Sequence, residues 1–229
     1  MSLERLAALQ QLSSPALPIG GFSYSQGLES AVELGLVHDP DSACGWIDAQ
    51  LHTAMIEAEA PIWCLLYRAW ERVDAAALAR WSGWFQASRE NREIREETRQ
   101  MGKSLASLAA ELGWGSPAQH TLLQRVEPMT LPLVHSMVCA AWQIPLDAGL
   151  AAYLLTWLEN QTTAAIKSIP IGQVAAQRIL QGLRPKLPAL VAEAERRSTA
   201  QPPDLMTLAP QYGIIAARHE SQFSRLFRS

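Results

Sequence analysis

Apolar residues in this 229-residue chain recur three and four positions apart almost throughout, and no window of five or six residues alternates apolar with polar convincingly. A strand repeats every two residues and a helix every 3.6, so this spacing predicts an all-α fold. Ile56, Ala60, Trp63, Tyr67 and Trp70 make one such seam. Ile94, Met101, Leu105, Leu108 and Leu112 make a second, in a helix expected from about Ser88 to Leu112 and ended by Gly113.

Breakers divide the rest. Leu3, Leu6 and Leu9 open a first helix that Ser13-Ser14-Pro15 stops, and Pro18-Ile19-Gly20-Gly21 reads as loop. A second helix runs from about Ser25 to Leu34 with Gly35 as its C-cap. Asp39-Pro40-Asp41 begins a pair of helices that Pro61 breaks or kinks. Ser116-Pro117 sets an N-cap before a proline at the first helical position. Further helices are expected near 132–143, 147–167, 171–182 and 186–198. The sum is a single-domain bundle of about ten helices over residues 1–210, followed by a C-terminal docking tail, 211–229, whose removal is expected to spare the core.

Composition narrows the class. With 48% hydrophobic residues the chain carries enough apolar surface for a core of its own. Trp46, Trp63, Trp70, Trp142 and Trp157 read as core or interface filler. Nineteen basic against 22 acidic residues leave a net charge of -3, which argues against bulk nucleic-acid binding. Cys44, Cys64 and Cys139 sit among apolar neighbours and read as small buried hydrophobes in a reducing compartment. Glu4 interrupts any secretory apolar run, and the longest uncharged stretch, Pro128 to Leu146, holds three prolines. A cytoplasmic protein that makes no membrane contact is expected.

The chemical motifs all fall short. Gly102-Lys103-Ser104 ends like a phosphate loop, but Glu97 stands where that loop needs its first glycine. Gly21-Phe22-Ser23-Tyr24-Ser25 lacks the final glycine of a nucleophile elbow, and His219-Glu220 lacks the second histidine of a zinc-protease helix. His135 and Cys139, four apart, are two ligands where a metal wants more, and read as a core histidine beside a buried thiol. No catalytic residue, metal or cofactor is expected. A helical small-molecule enzyme and a helical DNA-binding regulator are the rival readings.

Other features point to contact surfaces. Eight of the eleven residues from Arg89 to Arg99 are charged, and Arg92, Arg95, Arg99 and Lys103 share one helical face, either solvated or an arginine-rich docking surface. Arg89 with Glu93 and Arg92 with Glu96 have the four-residue spacing of helical ion pairs. After Asp147, an apolar stripe of Leu150, Leu154, Trp157, Leu158 and Ala165 runs beside a polar one of Tyr153, Thr156, Asn160, Thr163 and Lys167. Lys167 is a solvated helix end or a cation shown to a partner. Phe223, Leu226 and Phe227, at i, i+3 and i+4 beside Arg218, Arg225 and Arg228, suggest a helical turn that docks on something.

Four segments carry a family resemblance: Leu17-Pro18-Ile19-Gly20-Gly21-Phe22-Ser23-Tyr24-Ser25-Gln26-Gly27-Leu28-Glu29, Arg95 through Gly102, Lys167-Ser168-Ile169-Pro170-Ile171-Gly172-Gln173, and His219-Glu220 through Ser229. In their order and spacing the chain resembles the urease accessory protein UreF family over essentially its whole length. It departs from the family pattern near Ser136 and at Val174-Ala175-Ala176-Gln177. The resemblance implies a non-catalytic, dimer-forming helical protein that binds UreD (also called UreH) and the GTPase UreG, in a complex delivering nickel to the urease apoprotein. It further implies that Lys167 faces the GTPase and that the tail with Arg225 orders against UreD or the dimer mate. The partner-binding set it suggests is Tyr24, Glu29, Arg95, Arg99, Lys167, Gln173, His219, Glu220, Phe223, Arg225, Leu226 and Phe227.

Overall fold

The computed structural model describes residues 1–207, 209–223 and 225–228, without the side chains of Pro210, Gln211 and Ser221. Among these residues the fold is all-α, with no strand. The helices are α1 (Leu3–Leu12), α2 (Leu28–Glu33), α3 (Pro40–Gln50), α4 (Ala60–Glu71), α5 (Ala75–Ser88) and α6 (Arg92–Glu111), then α7 (Pro117–Leu123), α8 (Leu131–Ala141), α9 (Leu146–Ser168), α10 (Gln173–Leu183), α11 (Leu187–Thr199) and α12 (Pro210–Arg218).

The expected seam, which enters α4 from the stretch before it, is the centre of the core: Ile56, Ala60, Trp63, Tyr67 and Trp70 are all buried, and α4 packs on α5, α8, α9 and α11. Its aromatic residues keep their polar atoms satisfied, as burial requires. Trp63 Nε1 donates to His135 Nδ1 at 3.1 Å, Tyr67 Oη to the Ile144 carbonyl at 2.7 Å, and Trp70 Nε1 to the Leu133 carbonyl at 2.9 Å. His135 is indeed a core histidine beside the Cys139 thiol, 3.7 Å away. Burial pushes its protonation down to about 3 and pushes the Cys64 thiol up to about 12. Cys44, by contrast, is half-buried.

Pro61 does not break the chain direction. Between α3 and α4 the backbone continues as a π-helical stretch, Leu51–Glu59, and Pro61 sits in the first turn of α4, where its missing N–H matters least. Pro61 has no N–H to offer the carbonyl four residues back, that of Glu57, and this carbonyl receives the amide of Met206 at 2.9 Å. The connection from α11 toward α12 is pinned there.

Two helix starts differ from expectation. α2 begins at Leu28, because Gln26 (φ 51°) and Gly27 (φ 81°) take left-handed conformations that a helix cannot include. Residues 89–91, just before α6, are not helical: Asn91 caps it, accepting from the Ile94 amide at 2.8 Å. Arg89 therefore lies outside the helix and cannot form the anticipated pair with Glu93. It meets Glu59 instead, 3.4 Å away, and stacks over Phe85. Leu112, anticipated on the α6 seam, is exposed past its last turn.

Glycine-102 is explained by packing. A Cβ there would come within 2.5 Å of the Met129 carbonyl and 2.6 Å of Thr130, where α6 crosses the start of α8. The Gly-Lys-Ser triplet thus lies mid-helix at a close crossing.

Candidate functional site

The four segments that carry the family resemblance lie far apart in sequence and meet in space. The polar stripe of α9 faces the loop before α2: Asn160 Nδ2 donates to the Tyr24 carbonyl at 3.2 Å and Lys167 Nζ to the Phe22 carbonyl at 3.4 Å. Gln26, held at a backbone conformation that costs a non-glycine residue about 1 kcal/mol or more, is fixed by three bonds. Its Nε2 donates to Glu97 at 2.6 Å, and its Oε1 accepts from Trp157 Nε1 at 2.6 Å and Gln161 Nε2 at 3.3 Å. Beneath this loop lies a cavity of about 70 Å³, bounded in part by Leu17, Phe22, Glu59 and Tyr153. Tyr153 donates to Glu59 at 2.5 Å, and burial pushes the Glu59 carboxyl up against the opposing pull of Arg89.

Glu29, on α2 and 6% exposed, receives the C-terminal segment. Its carboxylate accepts the amides of Leu226 at 2.7 Å and Phe227 at 3.1 Å, and lies 3.0 Å from Nε2 of His219. The fully buried His219 ring has its Nδ1 2.7 Å from Glu93 on α6. Glu93 also accepts from Arg225 Nη1 at 2.8 Å. Arg225 turns back to the Gln222 and Glu220 carbonyls at 3.0 and 2.5 Å, and Glu220 accepts the Arg92 amide at 3.0 Å. Beyond this cluster the Arg228 amide donates to the Ser23 carbonyl at 2.8 Å, and the Arg228 guanidinium pulls the Tyr24 hydroxyl toward ionisation. Burial is the largest influence on that hydroxyl and raises it. The result is a polar clasp joining α2, α6, α9 and the C-terminal segment.

The remaining anticipated residues fall around it. Phe227 is buried, its ring 5.4 Å from Lys167 Nζ, whereas Phe223 and Leu226 are 106% and 70% exposed. The helical turn anticipated across Phe223, Leu226 and Phe227 is absent: these residues and Arg225 are bent or irregular, and Ser224 lies outside the described residues. A segment tethered by Glu29 through its backbone amides has no such donors left for a helical turn. Ile215 and Ala216 on α12 are buried with the core, and Ala216 lies close against Gly27. Part of the segment 211–229 thus packs into the core. Arg95 is half-buried, reaching the Arg89 carbonyl at 2.6 Å, and Arg99 pairs with Glu96 at 3.2 Å, so Arg92 and Lys103 are the exposed cations of that face. Gln173 is exposed at the first turn of α10. Sequence reasoning missed Glu93, Gln26 and Glu59, whose partners stand tens to well over a hundred residues away, where no local spacing could reveal them.

Among the described residues no three metal-ligating side chains gather into a metal-binding group, and no helix is long and apolar enough to cross a membrane. Fold and clasp define the class: an all-helical protein whose distinctive polar residues order its own surface. Comparison with known proteins makes this specific. The UreF family model matches residues 37–184. A urease accessory protein UreF from Bordetella parapertussis is 61% identical over 218 residues, covering 95% of this chain and 99% of that one. One from Cupriavidus metallidurans is 50% identical over 228 residues, covering 100% and 99%. A bifunctional urease accessory protein UreEF from Bordetella bronchiseptica is 60% identical over 225 residues; the match takes in 98% of this chain, which spans about half, 52%, of that longer protein. The chain belongs to the UreF family, and is a urease accessory protein and not an enzyme.

Proposed function

We propose that this chain acts as a chaperone in urease maturation, assembling with UreD (UreH) and the GTPase UreG so that nickel reaches the urease apoprotein. It works in the cytoplasm as a homodimer, with no cofactor of its own. The observation that carries the reading is the convergence of the four family segments on one clasp, which leaves Phe223 and Leu226 standing in solvent beside Arg225. Large apolar side chains held out by an ordered scaffold are typical of a protein contact. Family membership supports assigning that contact to UreD and the Lys167 end of α9 to the GTPase. The relative whose name joins UreE to UreF supports a place among the urease accessory proteins.

The test is co-purification with UreD and UreG, comparing the native chain with a Phe223→Ser, Leu226→Ser double variant. Burying two such side chains contributes about 1.5–3 kcal/mol each, partly offset by ordering, so UreD affinity should fall roughly ten- to a hundredfold. Unchanged affinity in the double variant rejects the tail as the UreD contact, and failure of the native chain to capture either protein rejects the function.

A further inference from the structure

We infer that Lys167 is a latch on the C-terminal segment, so that the α9 end and the tail form one coupled unit. Lys167 stands in the last turn of α9, and no acidic side chain pairs with it among the described residues. Its ammonium instead donates to the Phe22 carbonyl at 3.4 Å and lies 5.4 Å from the centre of the Phe227 ring. One cation thus touches both the loop before α2 and the segment that Glu29 holds by the Leu226 and Phe227 amides. A cation over an aromatic face is attracted by the ring's negative surface. Phe227 is 6% exposed, and next to it Leu226, 70% exposed, belongs to the proposed docking face. Seating Phe227 therefore positions Leu226, and anything that draws Lys167 away loosens both. Coupling of this kind is reciprocal, so a partner gripping the tail changes what the α9 end presents. The proposed function enters only in naming what the two faces bind; the latch is a property of the isolated chain.

The experiment is hydrogen exchange at the Leu226 and Phe227 amides of the full chain, with no partner present, in Lys167→Ala, Lys167→Met and Lys167→Arg. Ala and Met should speed exchange at these two amides by roughly two- to fivefold, the scale of one exposed cation–aromatic contact. Arg, which keeps the cation, should restore the native rate. The Met variant retains the apolar stem and so separates charge from packing. Unchanged exchange in both Ala and Met overturns the latch. So does an equal acceleration across the amides of α4 and α8, which would make Lys167 a general contributor to stability. Failure to capture UreD or UreG would reject the proposed function and leave the exchange result standing.

Discussion

Glycine-102 offers a sharp test of whether the Gly-Lys-Ser triplet is a relic of phosphate chemistry or a packing device. In mid-helix, glycine costs roughly 0.5–1 kcal/mol relative to alanine, so Gly102→Ala would stabilise an uncrowded α6 by that amount. The position is crowded: the added Cβ would meet backbone, at 2.5 Å from the Met129 carbonyl and 2.6 Å from Thr130. Backbone yields poorly, and here it is also held by the Leu131 amide donating to Thr98 Oγ1 at 3.1 Å. Overpacking of this kind costs about 1–3 kcal/mol, so the net change should lie between about zero and a loss of about 2.5 kcal/mol, or up to about 10 °C in melting temperature for a chain of this length. Gly83, inside α5 with nothing within 4 Å of its would-be Cβ, is the internal control, and Gly83→Ala should gain about 0.5–1 kcal/mol. Urea denaturation followed by circular dichroism measures both variants. If Gly102→Ala stabilises as much as Gly83→Ala, the close crossing of α6 and α8 is not what demands glycine.

Three further outcomes are expected. His135 has its protonation held down to about 3 in the folded chain, against about 6.5 when unfolded, so the unfolded state takes up a proton across that interval and stability falls as pH drops through it. His135→Gln, which can still accept from Trp63, should flatten the dependence of the urea midpoint on pH between about 6 and 4; an unchanged slope refutes the assignment. Deleting residues 211–229 removes the buried Ile215, Ala216, His219 and Phe227 and should lower the melting temperature by several degrees even with no partner present, which differential scanning calorimetry would show. Nickel titrated into the isolated chain should give no stoichiometric sub-micromolar isotherm, and a clean one-site curve would contradict that.

The helices were legible because their signals are local. The α4 seam, the Ser116-Pro117 cap and the stripes of α9 rest on residues three or four apart, and each stands where its spacing put it. The start of α6 was misplaced because the glutamates and arginines near Arg89 favour helix, while the single Asn91 side chain, by capping, decides where the helix begins. The clasp was half legible. The family segments named Glu29, His219 and Arg225, yet nothing in their spacing could show that the histidine ring bridges Glu29 to Glu93, or that Phe227 turns inward while Phe223 turns out. Those outcomes are settled by packing between elements, on which periodicity is silent.

The clasp also has a place in time. Glu29 and the Phe227 amide that it accepts are 198 residues apart, and Glu93 precedes Arg225 by 132. Helices built on local contacts form early, and pairings of such long sequence separation form late. On a ribosome the acceptors are made before the donors, so α2 and α6 emerge with their carboxylates waiting. A partner that meets the growing chain meets Glu29 and Glu93 bare, and one that arrives after synthesis meets them already occupied by His219 and Arg225. The order of encounter, and not affinity alone, then decides whether a newcomer must compete with His219 and Arg225.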